Sequence, residues 1–226
     1  MEKIYETAYA KINLGLDVLG KRSDGYHEVR MVMQSVGLSD AVEIEEGEGL
    51  VVETDHSGLA GGPDNLAWKA AELLARCCGK IPNVHIRLNK KIFLAAGLAG
   101  GSSDAAAVMR GLSRLWQLDL TAPELEKLAA ELGSDIPFCI TGGTALAEGR
   151  GEILTELPEA PELLLVLAKP KLEVATGWVY GNFRQQKVNQ RPDIDGIIKA
   201  LEQSATGLLL ESCLLYTSDA ADDLIG

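Results

Sequence analysis

The chain is 226 residues long, 46% hydrophobic and 24% charged, ordinary values for a globular protein of one large or two small domains with length enough for a real core. Lys and Arg number 21 against 33 Asp and Glu, a net charge of −12, and no Lys/Arg-rich run breaks the acidic background, so nucleic acid and anionic membrane surfaces are poor partners. A phosphorylated small molecule stays within reach, because it asks only for local donors.

In chain order, "KIYETAYAKINLGLDVLG" (3–20) alternates well enough for one or two strands, and "KRSDGYHEV" (21–29) is a polar loop with an Asp24-Gly25 turn. "VRMVMQSVGL" (29–38) and "AVEIEEGEGLVVET" (41–54) read as further strands. "DNLAWKAAELLARCC" (64–78) is a helix: Leu66, Ala70, Leu73, Leu74 and Cys77 keep helical spacing and Gly79 stops it. "NVHIRLNK" (83–90) alternates as a strand with Val84, Ile86 and Leu88 on one face. A glycine-rich loop follows, then a helix with Ala105, Val108, Met109, Leu112, Leu115 and Trp116 on its buried stripe. "TAPELEKLAAEL" (121–132) is a helix with Thr121 and Glu124 at capping-box spacing. "GGTALAEG", "GEILTEL" and "ELLLVLAKP" (162–170) read as strands, while "VATGWVYGNF" (174–183) and "IDGIIKALEQ" (194–203) read as helical. The mixture is α+β, with a domain boundary expected near residues 158–170.

Four cysteines (Cys77, Cys78, Cys139, Cys213) have neither metal-ligand spacing nor the density of a disulfide framework, and the Cys77-Cys78 pair is expected in the core. Reduced thiols and a first segment without an apolar h-region point to the cytoplasm. No run of 18 apolar residues suits a transmembrane helix.

The stretch "LAAGLAGGSSDAAAVMRGL" (94–112) puts three glycines and two serines at the start of a helix. Glycine costs conformational entropy and adds no packing surface, so the cluster marks either a tight turn or a loop whose backbone approaches a ligand. Unpaired N–H groups and the positive end of the helix dipole suit an anion there, while Ser102, Ser103 and Asp104 equally suit simple capping. The Gly97-x-x-Gly100-Gly101 spacing fits neither the dinucleotide G-x-G-x-x-G pattern nor the Walker loop.

"GLAGGSSDAA" resembles the phosphate loop of the GHMP kinases, and "AKINLGLDVLGKRSDGYHEV", "DNLAWKAA", "LGSDIPFCITGGTALAEGRGE" and "LAKPKLEVATGWVY" match further segments of that family in the right order. The resemblance implies a two-lobed fold: a ribosomal protein S5 domain 2-like N-terminal lobe (1–160) and an incomplete ferredoxin-like C-terminal lobe (161–212). It implies ATP, with Mg2+, as phosphoryl donor and a small-molecule acceptor, a cytidine-diphosphate-linked sugar alcohol. The phosphate loop would be Gly97, Leu98, Ala99, Gly100, Gly101, Ser102 and Ser103. Asp135 would be the catalytic base and Lys11 its partner at the developing charge; unaided, Asp135 reads as a helix cap and Lys11 as a solvated strand residue. Asn13, two residues beyond Lys11 on one strand face, would contact substrate or hold Lys11 in place. Tyr26 would stack on cytosine with His27 on its edge, Tyr180 would take the opposite ring face, and Thr176 is a lesser substrate candidate. Asn65 is either a helix N-cap or, by the resemblance, an adenine contact.

Two features depart from the family. Phe93 stands where Pro is usual, and a third, Gly-Ser-Gly-Pro type glycine motif is absent. The segment "CLLYTSDAADD" (213–223) has no amphipathic period and resembles a translated sequencing adapter, so 213–226 is expected to be a non-native tail on a truncated second lobe. Two readings stay open beside the main one: another GHMP small-alcohol kinase, and a catalytically impaired nucleotide-binding fragment.

Overall fold

Two long strands, β1 (Lys3–Lys21) and β2 (His27–Glu46), pair with each other at the start of the chain. A computed structural model describes residues 3–169 and 191–213. β2 runs through Gly37–Asp40, where two separate strands were expected, because the Asp40 side chain accepts hydrogen bonds from the Lys91 and Ile92 amides and fixes the backbone there. The described residues fall into two compact units that interleave in sequence. The first draws on Met1–Lys11, Ser35–Leu94 and Leu98–Gly142, the second on Ile12–Gln34, Ala95–Gly97 and Gly143–Gly226.

In the first unit the far half of β2 pairs antiparallel with β4 (Val84–Asn89), Ile44 opposite Ile86. β3 (Leu50–Thr54) pairs parallel with β4, Val52 also opposite Ile86. Parallel neighbours need a crossover, and α1 (Leu66–Cys78) supplies it. Val42, Ile44, Val52, Val84, Ile86 and Leu88 turn one sheet face into the core. Lys3, Glu43, Glu45 and Arg87 form ion pairs at 2.5–3.1 Å. Being partly water-exposed, these contribute little stability.

Helices α1 and α2 (Gly100–Leu115) meet through small side chains, Ala67, Ala70 and Ala71 on one and Ala105, Ala106 and Ala107 on the other, all fully buried. α2 also comes close to the sheet at Gly111, where a Cβ would meet the Ile44 side chain at 2.5 Å. α3 (Ala122–Ala129) starts with the expected box, Glu124 accepting from the Thr121 amide at 2.8 Å. The short α4 (Ile136–Thr141), not anticipated from sequence, buries Ile136, Pro137, Phe138 and Ile140.

In the second unit β2 pairs antiparallel with β5 (Thr144–Glu148), which pairs with β6 (Ile153–Glu156) through a turn at Gly149–Gly151. α5 (Ile194–Glu202) lays Ile194, Ile197, Ala200 and Leu201 against Leu14 and Val32. A Cβ at Gly15 would reach the Ile197 side chain at 2.5 Å, so that glycine permits the close approach.

Two expectations need correction. Residues 161–169 carry no regular structure: a strand requires ladder hydrogen bonds, none is formed by this run among the described residues, and Leu164 and Val166 are exposed. Cys77 is exposed and Cys78 only partly covered, because the last turn of α1 extends beyond the core.

Candidate active site

The glycine loop joins the end of β4 to α2 and is anchored at both ends. Lys90, buried, pairs with Asp40 from β2 and with Asp104 from the early turns of α2. Asp40 also takes the Lys91 amide and, at 2.8 Å, the Ile92 amide. Two carboxylates thus share one ammonium in the interior. Burial, with Asp40 adding to it and Lys90 opposing it, pushes the Asp104 carboxyl up to about 7. Its Oδ1 is buried without a hydrogen-bond partner. Asp104 therefore faces inward and does not serve as a simple first-turn cap.

Between these anchors Ala95 (φ 51°), Gly97 (φ 69°) and Ala99 (φ 57°) are left-handed. For alanine that conformation costs about 1–2 kcal/mol, and such strain concentrates at ligand sites. Gly97 and Gly101 are exposed, Gly100 and Ser102 half-buried. Ahead of α2 the leading N–H groups lack helical partners, so they and the helix dipole favour an anion at this loop. Ser103 behaves differently from its neighbour. It is fully buried, its amide donates to Ala99 O at 2.8 Å, and its hydroxyl donates to the Tyr9 carbonyl at 2.6 Å. That hydroxyl bond ties the first turn of α2 to β1. The same hydroxyl lies 3.4 Å from Cys139 Sγ, a thiol that burial pushes up to about 11.

β1 delivers Lys11 to this loop. The Lys11 amide donates to Leu98 O at 3.1 Å, and Lys11 Nζ stands 3.8 Å from Asp135 Oδ2. Lys11 is 5% exposed, whereas the Asp135 side chain keeps 35% of its surface open. Asp135 occupies the N-cap position of α4 yet makes no capping hydrogen bond with its side chain. Arg110 of α2 fastens the two carriers: it donates to Cys139 O at 2.6 Å, to Thr7 O at 3.0 Å and to Glu6 Oε2 at 3.1 Å. The part of that loop from Leu98 onward, a buried ammonium and a solvent-reaching carboxylate that leaves its helix uncapped thus belong to the first unit. That set suits phosphoryl transfer to a hydroxyl, which asks for positioning, charge neutralisation and a base.

In the second unit the Asp24-Gly25 turn forms as read, Gly25 at φ 89° and Asp24 Oδ1 accepting the Tyr26 amide at 3.1 Å. Tyr26 is 55% exposed, and the Arg150 guanidinium lies 4.9 Å from its ring centroid. His27 opens β2 and Asn13 lies in β1, both half-buried.

Residues 65–143 match the GHMP kinases N terminal domain. The 4-diphosphocytidyl-2-C-methyl-D-erythritol kinase of Acetivibrio thermocellus is 47% identical over 213 residues, 94% of this chain and 75% of that protein. The kinase of the same name from Synechococcus sp. is 47% identical over 219 residues, 96% of this chain and 71% of that protein. The chain belongs to this branch of the GHMP kinases. A crystal structure of 4-(cytidine 5'-diphospho)-2C-methyl-D-erythritol kinase is 35% identical and superposes with a TM-score of 0.71 over 88% of this chain and 72% of that one. L. major mevalonate kinase, 18% identical, shares the fold with a TM-score of 0.71 over 99% of this chain and 76% of that one.

For a GHMP kinase, the placement of the remaining residues is informative. Asn65 takes the N-cap alternative: its Oδ1 accepts the Ala67 amide at 2.9 Å and its Nδ2 donates to Ala60 O at 2.8 Å. Thr176, Tyr180 and the 214–226 part of the tail lie outside the described residues. Lys90, Arg110 and Arg150 escaped sequence reasoning, since a lone cation among many carries no local signal; only the flanking glycines of "EGRGE" mark Arg150.

Proposed function

We propose that this GHMP kinase transfers the γ-phosphoryl group of ATP to the 2-hydroxyl of 4-diphosphocytidyl-2-C-methyl-D-erythritol, a step in making isoprenoid precursors. The observation that carries the reading is the 3.8 Å separation of Lys11 Nζ and Asp135 Oδ2, in the unit that also holds Leu98 to Ser103. Asp135 accepts the hydroxyl proton, the oxygen bonds to the γ-phosphorus, and the bond to the bridging oxygen breaks to release ADP. Lys11 steadies the charge on the transferring group. The loop from Gly97 to Ser102 holds the phosphates through backbone N–H groups. Tyr26 and His27 recognise the base, with Asn13, Thr176 and Tyr180 as further acceptor contacts.

Mg2+ enters with the nucleotide and supplies charge neutralisation. Among the described residues no three His, Cys, Asp or Glu side chains converge. Among them, too, no helix is long and apolar enough to cross a membrane. The cytoplasm is the compartment expected for the reaction on the reduced cysteines of the sequence.

The test is phosphoryl transfer from ATP to acceptors with and without the cytidine moiety. The cytidine-linked alcohol is expected to react and the unlinked methylerythritol phosphate to be a very poor acceptor. Equal efficiency toward both would refute base recognition and favour a different small-alcohol kinase. No transfer to either would favour an impaired nucleotide-binding fragment.

A further inference from the structure

We propose that Arg150 is a positioning residue for specificity, holding the Tyr26 ring as a one-sided platform for the acceptor's cytosine. The inference rests on the base-stacking role given to Tyr26 above. A guanidinium 4.9 Å from the ring centroid is within cation–π range and covers one face, while Tyr26 as a residue stays 55% exposed.

Arg150 is itself held. Its amide donates to Glu152 Oε2 at 2.6 Å and its Nε to Glu152 Oε1 at 3.3 Å, leaving the side chain 28% exposed. The turn that carries it is shaped by Gly149 (φ 72°) and Gly151 (φ 113°) and fastened to β2 by Val29 N donating to Gly149 O at 2.8 Å. Tyr26 is anchored independently at its backbone, its carbonyl accepting the Arg22 amide at 2.8 Å and its amide donating to Asp24 Oδ1 at 3.1 Å. The remaining freedom of Tyr26 is side-chain rotation, which the guanidinium restricts before any ligand arrives. A platform ordered in advance costs less to bind than one ordered on binding. One covered face also leaves one face for a single base ring. Lysine would not substitute, because its ammonium lacks a planar surface to lie on the ring.

The experiment is a double-mutant cycle on KM for the cytidine-linked acceptor, using Tyr26→Ala, Arg150→Met and the pair, with Arg150→Lys as a second variant. Arg150→Met and Arg150→Lys are each expected to raise that KM about fivefold, with kcat within twofold and KM for ATP unchanged. Tyr26→Ala is expected to raise it on the order of tenfold. The pair is expected to match Tyr26→Ala alone, because without the ring Arg150 has nothing to position. Multiplying effects in the pair, or an unchanged KM in both Arg150 variants, would overturn the inference while leaving the Tyr26 platform intact. An unchanged KM in Tyr26→Ala would remove the platform itself and this inference with it.

Discussion

Asp135 stands at the N-cap position of α4 without capping it through its side chain, while reaching solvent and an ammonium at once. Polar side chains at helix starts normally satisfy the exposed amides, so a carboxylate excused from that task is free for chemistry. Asp135→Ala is expected to lower kcat by 10²–10⁴-fold at saturating substrates, the usual contribution of a general base, with KM for both substrates and the melting temperature nearly unchanged. Near-normal turnover would remove Asp135 from the mechanism. At this scale sequence specifies residue type but not hydrogen-bond allegiance. Ser102 and Ser103 are indistinguishable in "GGSSD", yet the second spends its hydroxyl on the Tyr9 carbonyl, a partner 94 positions away. The same limit hid Arg110, whose acceptors, the Cys139 and Thr7 carbonyls and the Glu6 carboxylate, lie on elements remote in sequence.

Elements were more legible where their signals are local. α1 could be read from apolar spacing, Asn65 and Gly79, and the structure caps it at both ends with those two residues, Gly79 at φ 62°. Loss of that cap tests what Asn65 does. Asn65→Ala is expected to destabilise the protein by about 1 kcal/mol and Asn65→Asp to retain much of that, with KM for ATP within a few-fold in both. A large rise in KM for ATP at unchanged stability would instead make Asn65 a nucleotide contact. Where an element depends on distant partners, sequence reasoning failed in both directions. β2 continues through Gly37–Asp40 because residues 91 and 92 hold it, and 161–169 stays irregular despite an apolar run fit for a strand. α4, a six-residue helix begun by "DIPF", is too short to display a period.

For the whole molecule, the interior charge cluster couples stability to pH. Folded Asp104, facing Lys90 and Asp40, holds its proton up to about pH 7, whereas an ordinary carboxyl releases it near 3.8. Between those values the folded state binds more protons than the unfolded one, so this group's contribution is fully present at the acid end and is lost as pH rises to 7. Asp104→Asn keeps an oxygen for Lys90 and removes the titration. Its stability relative to the parent is expected to climb by about 1 kcal/mol per pH unit between pH 5 and 7, then level off. A pH-independent difference in denaturant midpoints would rule the coupling out. Sequence placed Asp104 correctly on α2 but suited it to capping, since its burial is decided by Lys90 and Asp40 arriving from elsewhere. The interleaving of the two units reaches further still. The first unit closes only when β1, at the very beginning of the chain, meets α2 and α4, with Glu6 and Arg110 separated by 104 positions. On a translating ribosome β1 can pair with β2 early, but its contacts to α2 and α4 must wait while more than a hundred further residues emerge, and no contiguous stretch of the gene encodes either unit by itself.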